Sequence, residues 1–104
     1  MSEVWSFTKI FQTFRNEKDK LLSDSEYKKN FIGFIEKWLN LKASSPLILK
    51  ERKDWDDEIA IVVQILNEIG EYEKYNNWYE FWKQIFGRDF SVVFDEKRVF
   101  VKWG

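Results

Sequence analysis

The densest group of side chains that could bind a metal or move a proton is Asp54, Asp56, Asp57 and Glu58. Oxygen ligands of this kind suit magnesium or calcium. The spacing, however, lacks the mid-loop glycine and the distal glutamate of a calcium loop. Carboxylates are also favoured in the first turn of a helix, where the positive end of its dipole lies. A helix start with Asp54 as N-cap and the other acids in its first turn therefore accounts for the cluster, and no bound metal is expected. The remaining repertoire is narrow. The chain has no histidine and no cysteine, which removes Ser-His-Asp and Cys-His systems, histidine-ligated zinc, imidazole acid–base catalysis and thiolate chemistry. Its four glycines, at 33, 70, 87 and 104, cannot be written as a GxGxxG or GxxxxGK phosphate loop. The expectation is a protein without catalytic residues or cofactor, and not an enzyme.

One short run points the other way. LILKERK, ending in Glu51-Arg52-Lys53, resembles over seven residues the strand ending in Glu-x-Lys of restriction-enzyme-type nucleases. There the glutamate helps to hold a metal and the lysine positions or activates water. The upstream aspartate on a neighbouring strand has no counterpart, because Asp24 is committed to a helix start. A solvated charge run before a helix is the better explanation of the tripeptide. A metal-dependent nuclease is thus the last of the alternatives, and no family is claimed.

Binding chemistry is better represented. Residues 76 to 90 read NNWYEFWKQIFGRDF, with six aromatic side chains in fifteen positions. At about 100° per residue, Phe81, Ile85, Trp78, Trp82, Phe86 and Tyr79 fall in that order around an arc of roughly 160°, with Glu80, Lys83 and Gln84 opposite. Such a face is made to be covered. The chain carries 6 Trp, 4 Tyr and 10 Phe, and Trp and Tyr dominate protein interface hot spots. The favoured expectation is a protein-interaction module of accessory, regulatory or inhibitor type, like those of viruses and mobile elements. It would act on a protein partner or by self-association. Tyr79 and Phe81, at the two edges of the arc, are the expected contact residues, and Trp82 near its middle is expected to be buried. The alternative is nucleic-acid binding, with Phe100 stacking a base and Lys83, Arg88, Lys97, Arg98 and Lys102 following phosphates. A net charge of −1 and a pI near 5.5 weigh against it. The charge is segregated, though: residues 1–53 carry 11 bases and 7 acids, 54–80 one base and 8 acids, and 81–104 five bases and 3 acids.

The elements that must position these residues form an α+β chain, expected as a single globular domain over 1–104, with about four helices and a C-terminal hairpin. Val4, Phe7, Ile10, Phe11 and Phe14 mark one side of a first helix beginning near Ser2. RNEKDK at 15–20 is its exposed end or a loop. Ser23-Asp24-Ser25-Glu26 spells a capping box with Ser23 as N-cap, and apolar residues at helical spacing continue to about Lys42. Ala43 to Pro46 end this helix, and residues 47–50 are a candidate third short strand. IAIVVQIL at 59–66, apolar nearly all round, predicts the most buried helix, closed by Gly70. Asn77 then caps a short aromatic helix that Gly87 ends. FSVVFDEKRVFVKW reads as a hairpin turning at residues 95–98, pairing Phe94 with Val99, Val92 with Val101 and Phe90 with Trp103. No apolar run approaches the ~18 residues of a spanning helix, and the N-terminus lacks the features of a signal peptide. The sequence-based expectation is therefore a soluble cytoplasmic protein with no membrane role.

Overall fold

The computed structural model describes residues 4–44 and 53–104, with Lys53 and Asp54 described by backbone alone. The candidate strand at 47–50, and Glu51 with it, lie outside the described residues. The chain gathers into two compact units, Met1–Arg52 and Lys53–Gly104.

In the first unit, α1 (Phe7–Asn16), α2 (Lys18–Ser23) and α3 (Ser25–Ser44) pack together. The start of α1 is corrected from Ser2 to Phe7, because the cap is Ser6, whose Oγ accepts the Lys9 N–H at 3.2 Å. Val4 stands ahead of the helix and is exposed. The polar RNEKDK stretch is not a loop. It spans the end of α1 and the opening of α2, which Glu17 separates with a non-helical backbone (φ −117°, ψ 26°). The expected cap of α3 is also corrected. Ser23 still belongs to α2, and the extended residue is Asp24, whose Oδ1 accepts the N–H groups of Glu26 and Tyr27, both at 3.1 Å. A carboxylate can take both orphan donors, so the chain uses it in place of the hydroxyl one residue earlier. α3 runs past Lys42 to Ser44. Ile10, Phe14, Leu21, Phe31, Ile35, Trp38 and Leu39 fill this unit's core.

In the second unit, α4 (Lys53–Glu68) packs against α5 (Tyr72–Phe86) and against both strands of the hairpin, β1 (Phe90–Phe94) and β2 (Val99–Trp103). α4 is already helical at Lys53, so Asp54 lies within the helix and is not its N-cap. Ile59, Ala60, Val62, Val63, Ile65, Leu66 and Ile69 are completely buried, as the all-round apolar pattern predicts, and only Ile61 and Gln64 of residues 59–66 are half-buried. The helix closes in a Schellman turn, with the N–H of Gly70 donating to the Asn67 carbonyl at 3.1 Å and that of Glu71 to Leu66 at 2.9 Å. Gly70 sits at φ +86° to make it. The turn delivers the chain directly into α5 at Tyr72. Asn77 is therefore an exposed interior residue of a fifteen-residue helix and not the cap of a short one. Gly87, at φ +74°, ends α5 with its N–H on the Lys83 carbonyl.

The hairpin pairs antiparallel in the expected register: Phe90 with Trp103, Ser91 with Lys102, Val92 with Val101, Val93 with Phe100 and Phe94 with Val99. Asp95 anchors the turn at both ends, donating its N–H to the Arg98 carbonyl at 2.9 Å and accepting the Glu96 N–H on Oδ1 at 2.7 Å. Phe90 and Val92 are buried on the inner face, whereas Val93 and Phe100 are exposed on the outer one. Among the described residues no helix is long and apolar enough to cross a membrane.

Candidate functional site

The aromatic stripe of α5 folds into a connected run of rings. Trp82, completely buried, stacks near Phe86 at 5.5 Å, and Phe86 meets Phe90 and Trp103 edge-on at 5.6 and 5.2 Å. The inner face of the hairpin thereby closes over the C-terminal half of the helix. On one side the run continues from Phe90 to Tyr79 at 4.8 Å and on to Tyr75 at 5.7 Å. On the other it ends at Phe81, edge-on to Trp82 at 5.3 Å and to Trp78 at 5.7 Å.

The two expected contact residues thus have different surroundings. Tyr79 is half-buried. Its hydroxyl donates to Asp89 Oδ1 at 3.1 Å, the same oxygen that receives the Lys83 ammonium at 3.1 Å. The bonds from Lys83 and then Tyr79 hold the Asp89 carboxyl below its ordinary range, and Asp89 in turn raises Lys83. Burial first, and the bond to Asp89 second, push the Tyr79 phenol up. Phe81, in contrast, is 40% exposed and flanked by the half-buried Trp78 and Ile85. Residues 78, 81 and 85 form a ridge along one edge of α5.

The residues of the nucleic-acid alternative are largely engaged within the chain. Lys83 is neutralised by Asp89 and also lies 5.8 Å from the centre of the Tyr79 ring. Arg88 sits 4.4 Å over Trp103, and Arg98 sits 4.3 Å over Phe100. Lys97 is exposed in the hairpin turn, and Lys102 is exposed opposite Ser91. An open hollow of about 280 Å³ beside Lys102 is lined by Tyr79, Asp89, Phe90, Ser91 and Trp103.

The acidic cluster of α4 has a visible structural task. Asp57 Oδ1 accepts the Trp103 indole N–H at 3.0 Å, which ties the start of α4 to the end of β2. Among the described residues no three Asp or Glu side chains come together in a group that could hold a metal ion. Lys53, the lysine of the Glu-x-Lys run, opens a helix. Asp89 and the Asp57–Trp103 bond are features that sequence reasoning misses. Asp57 and Trp103 are 46 residues apart, and no local pattern links them.

Fold and site together define a small, mostly helical α+β chain with a C-terminal hairpin and an aromatic cluster. No family model, curated protein or solved structure matches it.

Proposed function

We propose that the protein is a non-enzymatic interaction module whose contact surface is the Trp78–Phe81–Ile85 ridge of α5, presented to an apolar helix or groove of a protein partner or of a second copy. The supporting observation is a contrast between two exposed phenylalanines. Phe100 is 38% exposed, and its ring is covered by the Arg98 guanidinium. A cation over an aromatic face gives a side chain that is finished towards water. Phe81 is 40% exposed, meets the rings of Trp78 and Trp82, and among the described residues has no basic side chain over its own ring. Large, rigid side chains with an apolar flank are the anchors of protein interfaces.

Substitution at the ridge tests the reading. Phe81→Ala, with unchanged circular dichroism, is expected to release a co-purifying protein or to lower the mass measured by light scattering. A Phe81→Ala protein that keeps its partner or its mass would overturn it. So would a monomer that retains nucleic acid at ~0.15 M salt and loses it when Lys83, Arg88 and Lys102 are neutralised.

A further inference from the structure

The middle of α3 contains a glycine for which neither its backbone conformation nor its neighbours among the described residues supply a reason. Gly33 is exposed, and its φ is not positive, unlike those of Gly70 and Gly87. Among the described residues, a Cβ built on it meets no atom within 4 Å. Glycine is a poor residue for a helix interior, so neither backbone conformation nor internal packing accounts for it. Its missing side chain floors an open hollow of about 450 Å³ lined by Lys29, Asn30, Phe34 and Lys37. The Phe34 wall is held by stacking on Trp5 at 4.2 Å, with ring planes 12° apart. Lys29 and Lys37 lie one turn to either side of Gly33, about 12 Å apart along the axis.

The outer face of α5 carries the complementary pattern. Glu73, Asn76, Asn77 and Glu80 are all exposed and fall within an arc of about 100°. The two glutamates are about 10.5 Å apart along the axis, close to the lysine spacing on α3. Lys83, which borders this arc, is bound by Asp89 and lies close enough to Glu80 to be raised by it in smaller measure. Phe81 lies about 80° and 100° around the helix from Glu73 and Glu80, with Asn77 between them; the acidic face borders the apolar ridge, but the inference rests on the two glutamates and not on Phe81.

We propose that these faces are the two halves of a contact between copies of this chain. α5 of one copy lies over the Gly33 hollow in α3 of another, with Glu73 and Glu80 against Lys29 and Lys37. The glycine lets the two helices approach closely, and the charges set their register. Both surfaces are solvent-accessible and the pairs are ionic, so the association weakens as salt screens them.

Charge exchange tests this with the full chain. Sedimentation velocity at ~0.05 M salt is expected to show concentration-dependent association of the wild type that falls at ~0.5 M. Lys29→Glu/Lys37→Glu protein alone, and Glu73→Lys/Glu80→Lys protein alone, are each expected to associate about tenfold more weakly or less. Mixing the two restores association, because each then offers the charge the other lacks. Gly33→Leu fills the hollow and weakens association while leaving the unfolding temperature unchanged or raised. The proposal is overturned by a wild type that stays monomeric at every concentration, by reversal variants that associate as the wild type does, by a mixture that fails to recover, or by Gly33→Leu protein of full affinity. A monomer whose Lys29–Lys37 hollow retains RNA or DNA would overturn it too.

Discussion

The aromatic side chains of residues 4–44 and those of residues 53–104 are handled differently. In the first unit the rings meet in small groups: Trp5 on Phe34 and near Phe31, and Phe7 between Phe11 and Trp38. Basic side chains then cover their outer surfaces, with Lys9 over Trp5, Arg15 over Phe11, Lys18 over Phe14 and Lys42 over Trp38. In the second unit the rings form a run from Tyr75 through the buried Trp82 that emerges at Phe81. Aromatic content by itself therefore does not mark an interface. Cations cover rings in the second unit too, at Tyr79, Trp103 and Phe100; what sets its run apart is that, among the described residues, the exposed end at Phe81 is left open.

Breaking the run at its centre should have the largest effect. Trp82→Ala removes a completely buried ring and is expected to cost about 3–5 kcal/mol in denaturant unfolding. Trp82→Phe should cost much less, about 1–2 kcal/mol, because it keeps an aromatic ring and removes an indole N–H that is buried without an acceptor among the described residues. A Trp82→Phe protein as unstable as Trp82→Ala would show that shape, and not ring burial, governs this position.

The closed groups of the first unit should be individually less sensitive. Trp5 is half-buried and stacked on Phe34, and Trp5→Ala is expected to cost about 1–3 kcal/mol, of which the stack contributes about 0.5–1.5. In the same unit Asp24→Ala should cost about 1 kcal/mol and Ser23→Ala less than about 0.5. Equal losses would place the cap of α3 on both residues.

A smaller effect is expected at the closed end of the second unit, where Asp89 joins Tyr79 and Lys83 at the surface. The folded-state pKa of Asp89 is depressed below its ordinary 3.8. Its contribution is therefore fully present above that value and is lost as pH falls through the lower folded value. Urea unfolding followed from pH ~6 to pH ~2 should show a flatter acid limb for Asp89→Asn than for the wild type, with the two curves parallel above pH ~5. Parallel curves throughout would mean that Lys83 and Tyr79 do not hold this carboxylate in solution.

These features were legible in the sequence to very different degrees. The hairpin register could be read residue by residue, because a two-residue period and an aspartate-led turn leave one alignment that keeps an apolar face. The burial of α4 followed from a run with no polar side. Helix starts were less secure. Ser23-Asp24-Ser25-Glu26 offers two acceptors one residue apart, and only backbone geometry selects Asp24. Asn77 resembled a cap because EYEKYN is polar, yet those residues are the exposed first turns of a longer helix. At the site, periodicity placed Phe81 and Tyr79 at opposite edges of the stripe. It could not show that Asp89 returns to bind Tyr79, because that depends on how the chain leaves Gly87.

The central claim is that the open end of the aromatic run is where a protein partner binds. A photo-crosslinking phenylalanine analogue placed at position 81, and separately at position 100 and at the exposed Asn40, tests it in cells that make the protein. The account predicts protein adducts, to a second copy or to another chain, from position 81 and few or none from positions 100 and 40. Absence of adducts at 81, equal yields at all three positions, or adducts to nucleic acid concentrated at position 100 would contradict it.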